Sequence, residues 1–139
     1  MEQDDNPIAY TSHGEITMDQ IGGMQPGLAR LMAEISERYW ILYYAAKADN
    51  WKMASLQSSE IKKAFRIGEI TRPKYVDHLE AFINGPMAKM DEAIAHQDWV
   101  KFEKSHSVGI RAANAYHVSW NHEEIVWQLP DEPPKHLKL

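Results

Sequence analysis

The sequence of 139 residues contains no cysteine. That single absence excludes disulfides, thiolate metal sites, thioether attachment of a cofactor and cysteine catalysis. No stretch approaches the roughly 20 continuous apolar residues of a membrane span. Basic residues are outnumbered, 15 Lys and Arg against 20 Asp and Glu, for a net charge of −5. Such a balance argues against nucleic acid or an anionic membrane as a natural partner. Strand-like alternation of useful length, internal repeats, a phosphate-binding glycine loop, a nucleophile motif and zinc-ligand spacing are all missing as well. The acidic start, Met1-Glu2-Gln3-Asp4-Asp5, has no apolar run behind it. It predicts no export signal, and so a place in the cytoplasm.

What remains is a chain of ordinary apolar content, 44%, long enough to bury a core without cross-links. Residues 1–24, with Pro7, Gly14, Gly22 and Gly23, read as an irregular arm. From Leu28 onward a helical period takes over: Leu28, Met32, Ile35, Tyr39, Leu42 and Ala46 step by three and four. Trp40, Ile41, Tyr43 and Tyr44 widen that seam. The surplus apolar surface predicts a homodimer through the first two helices. Asp49 and Asn50 offer a cap for a second helix over about 51–70. Its expected stripe is Met53, Leu56, Ala64 and Ile67, with Ile61 and Phe65 beside it and Gln57 and Glu60 as polar residues on or next to it. Thr71-Arg72-Pro73 ends it.

A third segment carries Val76, Leu79, Ile83, Met87, Met90 and Ile94, interrupted at Asn84-Gly85-Pro86, where two short helices or a hard kink are expected. Asp98 opens a fourth helix running through Trp99, Phe102, His106, Gly109, Ala113, Tyr116, His117 and Trp120. Ile125, Val126, Trp127 and Leu129 are expected to lie across the helices, before a proline-rich tail over 130–139. The fold expected is all-α: an antiparallel four-helix bundle over 25–129, with no sheet.

Several of these residues, in their order and spacing, resemble a known family. They are Asn50-Trp51-Lys52-Met53-Ala54 followed by Glu60, the break at Pro73, Phe82-Ile83 before Pro86, Ala93-Ile94 before Asp98, and Phe102. Together they resemble the small haem-binding four-helix bundles related to cytochrome c′, over roughly residues 24–134. That family attaches haem through Cys-Asn-Ala-Cys-His, whose histidine binds the iron. Here the matching stretch reads Ala113-Asn114-Ala115-Tyr116-His117. The histidine survives and both cysteines are gone, so covalent attachment is excluded. The resemblance also implies that c-type attachment takes place on the exported side of a bacterial membrane, which agrees with a cytoplasmic relative having no use for the cysteines.

The resemblance makes His117, Tyr116, Ala113 and Asn114 the candidate cofactor-binding residues. Non-covalent haem b is the candidate cofactor, with His117 the metal ligand if haem binds. The competing reading of His117 is a histidine held by hydrogen bonds near a helix end. Tyr116 reads more readily as bulk occupying porphyrin space than as a phenolate ligand. Gln57, Glu60, His106 and Trp120 are expected to line a ligand pocket, Gln57 and Glu60 equally well read as a register-fixing pair. Glu103 and His106 have a Glu-x-x-His spacing, but a di-iron site needs a second copy on another helix, and none exists. His106 and His117 cannot share one metal, being about 16 Å apart along a helix. Three functions stay open: a binding module for haem b or another apolar ligand, a haem-free subunit of a larger complex, and a small cofactor-independent enzyme using His117 with Tyr116 or Glu60.

Overall fold

A computed structural model describes residues 8–139, so Pro7 lies outside the described residues. The chain is mostly helical with a small two-stranded sheet. Strands β1 (Ile8–Thr11) and β2 (Gly14–Thr17) pair antiparallel, Ile8 opposite Thr17 and Thr11 opposite Gly14. Gly14 takes a φ of 131°, open only to glycine. This hairpin corrects the expectation of no sheet: four-residue strands are too short to show a period. Helix α1 (Met18–Met24) follows directly, closed by a capping box between Thr17 and Gln20. The expected irregular arm is therefore ordered over its described part.

Helix α2 (Leu28–Lys47) buries Leu31, Ile35, Tyr39 and the whole run Ile41–Ala46. Helix α3 (Trp51–Thr71) starts at Asn50, whose side chain accepts from the Met53 amide at 3.1 Å. Its buried face is the expected one only in part. Leu56 and Ile67 are exposed, while Ala54, Ser58, Ile61, Ala64, Phe65 and Gly68 are buried. Small residues let α2 and α3 approach closely: a Cβ on Gly68 would lie 2.9 Å from a Leu28 methyl. Of the large aliphatics, Ile61 marks that face and Leu56 and Ile67 do not.

A 3₁₀ turn (Pro73–Tyr75) leads into α4 (Val76–Phe82), a π-helical turn (Ile83–Met87) and α5 (Ala88–Ala95). The expected break at Asn84-Gly85-Pro86 is thus a continuous π turn, which accommodates the missing proline amide without leaving the helix. Leu79, Ile83, Met87, Met90 and Ile94 are all buried, as their spacing predicts. Helix α6 (Trp99–Ser119) begins at Asp98, which accepts from the Lys101 amide at 3.0 Å.

The segment after α6 returns across the helices, as expected. Trp40 Nε1 donates to the Glu132 carbonyl at 2.8 Å and the Tyr44 hydroxyl to that of Pro130 at 2.6 Å. The chain's own tail therefore takes up the polar edges of the broad α2 face whose apolar surplus suggests a partner. Among the described residues no helix is long and apolar enough to cross a membrane.

Candidate ligand-binding site

The proline that ends α3 opens space. Beyond Thr71 the chain turns through Pro73–Tyr75 instead of continuing the helix. The N-terminal half of α2, the start of α4, the C-terminal end of α6 and the returning tail then enclose a cavity of about 670 Å³. That is within the usual range for small-molecule and cofactor sites. Leu28, Met32, Phe65, Leu79, Phe82 and Ala113 give it apolar walls, and Tyr75, Tyr116, Trp120 and Trp127 give it aromatic ones.

His117 borders this cavity. Its Nδ1 lies 2.9 Å from the Ile125 carbonyl. A carbonyl only accepts, so the network places the proton on Nδ1 and leaves a lone pair on Nε2. His78, on α4, takes the opposite form. The Trp120 indole, which only donates, reaches His78 Nδ1 at 2.7 Å and leaves that proton on Nε2. The His78 ring stacks on Tyr116, centroids 4.4 Å apart and planes at 16°. Tyr116 therefore lies along the wall, with the cavity open beside it.

Asn114 does not border the cavity but builds one side of it. Its Nδ2 donates to the Trp127 carbonyl at 3.0 Å, and its Oδ1 accepts from the Trp127 amide at 2.7 Å. Asn114 and His117, one turn apart on α6, thus grip the backbone of residues 125–127. Asn114→Ala should lower stability by about 1–3 kcal/mol, because two polar groups lose their partners. It should also speed hydrogen exchange at the Trp127 amide; unchanged exchange there would mean the grip does not hold the tail.

The cavity includes Ala113, Tyr116, His117 and Trp120 from the expected residues and, besides Asn114, excludes three others. Gln57 is buried but accepts from Arg38 Nη1 at 3.0 Å, and its amide nitrogen contacts Met53 Sδ at 3.4 Å. Glu60 pairs with Lys63 at 2.7 Å, and this pairing holds its carboxyl below the usual range. Both sit on α3 away from the opening left by Pro73. His106 is in the core, 1% exposed, its Nε2 donating to the Tyr39 carbonyl at 3.0 Å. Neighbouring Glu103 accepts from the Tyr43 hydroxyl at 3.4 Å. Among the described residues no group of three or more His, Asp or Glu could hold a metal ion.

Arg72, Lys74, Tyr75 and His78 line the cavity although the sequence does not single them out. The signal for them is the break itself. A helix that stops at Arg72-Pro73 and restarts at once leaves a gap at that end, and Tyr75 and His78, three residues apart, share one face of the restart. No family model, curated protein or solved structure matches the chain.

Proposed function

We propose that this chain binds haem b non-covalently, as an antiparallel four-helix bundle related to cytochrome c′, with His117 as the iron ligand. The observation that carries this reading is the state of His117. Its ring borders a cavity of about 670 Å³, its Nδ1 is fixed on the Ile125 carbonyl, and its Nε2 has no hydrogen-bond partner among the described residues. A metal-binding imidazole characteristically donates its other ring proton to a carbonyl or carboxylate, which sets the tautomer and orients the ring. The donor set suits haem iron, one neutral imidazole beside apolar and aromatic walls.

When bound, haem supplies a redox-active iron able to take a further ligand. The protein's own contributions follow from the residues. His117 holds the iron and sets its electron density through the Nδ1–H bond. Met32, Phe65, Leu79 and Phe82 exclude water from the ring. Trp127, gripped by Asn114, covers the tail side.

Titration with haemin should give a Soret shift that saturates at one equivalent. His117→Ala should weaken binding at least tenfold, ~1.4 kcal/mol, and return the maximum toward that of free haemin. Tyr116→Ala should keep the shift, because the phenol walls the cavity and does not bind iron. No shift at tens of micromolar haemin, or an unchanged shift in His117→Ala, would overturn the reading.

A further inference from the structure

The cavity beside His117 is one-sided in charge. Among the described residues its ionisable lining consists of Arg72, Lys74, three histidines and two tyrosines, with no aspartate or glutamate. This holds in a chain where acids outnumber bases, 20 to 15. Of the three histidines, only His122 contacts a carboxylate among the described residues, Glu124 at 3.1 Å, whose charge also reaches His117.

Among the described residues the two cations have no acidic partner either. Arg72 Nη1 donates to the Thr71 carbonyl at 2.7 Å and to Gln25 Oε1 at 3.1 Å, both neutral acceptors. Lys74 Nζ lies 4.9 Å from the centre of the Tyr75 ring. Among the described residues neither makes an ion pair, whereas Lys62, Lys63 and Arg38 all do. A guanidinium held by two neutral oxygens keeps its full charge for a third partner.

Arg72 also reaches the start of α2. Its guanidinium lies against Gly27, where a Cβ would come within 2.6 Å of Nη2. Gly27 precedes α2 and supplies no side-chain cap. The first-turn amides of α2 add positive potential on the same side of the cavity.

We infer that the cavity selects a flat aromatic acid, its ring system against Tyr116, Trp120 and Trp127 and its carboxylate or sulfonate at Arg72 and Lys74. The inference rests on the cavity being a ligand site and not on His117 taking iron. Aromatic walls favour a planar body over a flexible chain. The acid-free lining excludes cationic ligands by leaving their charge unpaired, and the two cations give an anion a place to end.

A matched pair of iron-free probes tests this: 8-anilino-1-naphthalenesulfonate and N-phenyl-1-naphthylamine, which share one aromatic body and differ by the sulfonate. Fluorescence titration of the folded full chain should show the sulfonate binding at least tenfold more tightly. Arg72→Gln with Lys74→Gln should bring the ratio close to one through loss of sulfonate affinity alone. Lys89→Gln with Lys101→Gln removes the same charge from the α5–α6 groove and should leave the ratio unchanged. Thermal unfolding reports whether each variant is folded. Should the Arg72 variant fail to fold, Lys74→Gln alone, at an exposed side chain, must cut the ratio severalfold. Equal binding of the two probes, binding of neither, a ratio that survives at Arg72 and Lys74, or equal loss at Lys89 and Lys101 would overturn the inference. Because the probes carry no iron, a failed haemin titration with a retained sulfonate preference removes the haem reading and leaves this one standing.

Discussion

Gly109→Ala is expected to lower stability by about 3 kcal/mol and the unfolding midpoint by roughly 10 °C. An alanine in a helix interior ordinarily gains up to about 1 kcal/mol over glycine, so the local propensity points the other way. What decides the sign is space. A Cβ on Gly109 would overlap the Tyr39 hydroxyl oxygen and come within 3.2 Å of Cζ and 3.3 Å of Phe82 Cζ. Tyr39 has no room to move, being 3% exposed and stacked on His106 with centroids 4.0 Å apart. Its hydroxyl donates to the His106 carbonyl at 2.6 Å. Overpacking costs about 1–3 kcal/mol, and a displaced buried hydroxyl and its abandoned carbonyl cost about as much again. Tyr39→Phe removes the overlapping atom. It should therefore make Gly109→Ala less harmful than in the native background, a coupling that a double-mutant cycle reads directly. A neutral or stabilising Gly109→Ala would show that α2 and α6 are not in close contact there.

Much of this packing is legible in the order and spacing of the residues. The seam of α2, the caps at Asn50 and Asp98, the buried series Leu79–Ile94 and the returning segment near Trp127 all follow from spacing and cap chemistry. Those signals are local, and local signals survive folding. The buried face of α3 is legible only in part: Ile61, Ala64 and Phe65 follow from spacing, while Ala54, Ser58 and Gly68 carry little hydrophobic weight and are buried because α2 comes close. The turns after α2, α5 and α6 are hidden as well. Each places a non-glycine residue, Asp49, Gln97 or Asn121, at positive φ, where a glycine would have announced the turn.

The site divides in the same way. His117, Tyr116 and Ala113 stand out through the resemblance of their stretch to a haem-attachment motif, and they do share one cavity. Asn114 stands beside them in the chain, but its side chain grips Trp127 instead. Gln57 and Glu60 draw notice as polar residues on an apolar stripe; the α3 face turns them to Arg38 and Lys63. Arg72 and Lys74 escape notice because two basic residues flanking a proline look like an ordinary exposed turn. Only the meeting of α2 with that turn makes them part of a cavity.

Between pH 6.5 and 4 the chain is expected to lose about 3 kcal/mol of stability through His106 alone. Burial pushes this imidazole down to about 4 from its ordinary 6.5. Its surroundings explain the direction. Tyr39, Tyr43 and Phe102 pack around the ring, and the groups that could titrate nearby offer it no carboxylate contact. Burial pushes the Tyr39 phenol up, so it stays neutral, and Glu103 reaches the Tyr43 hydroxyl rather than His106. The Tyr39 carbonyl accepts from Nε2 and favours the protonated ring, but less than burial disfavours it. In the unfolded chain the same histidine takes a proton below about 6.5. The folded state refuses that proton until about pH 4, so unfolding binds protons and stability falls as pH falls. Above 6.5 both states are neutral here and the contribution is complete; below 4 both are protonated and no more is lost. His106→Gln keeps an amide able to donate to the Tyr39 carbonyl but cannot titrate. Denaturant unfolding of the two proteins at half-unit steps from pH 8 to pH 4 isolates the histidine, since every other group titrates alike in both. The native curve should fall relative to the variant by roughly 1.4 kcal/mol per pH unit across the window. Parallel curves would mean that His106 is not held neutral in the core.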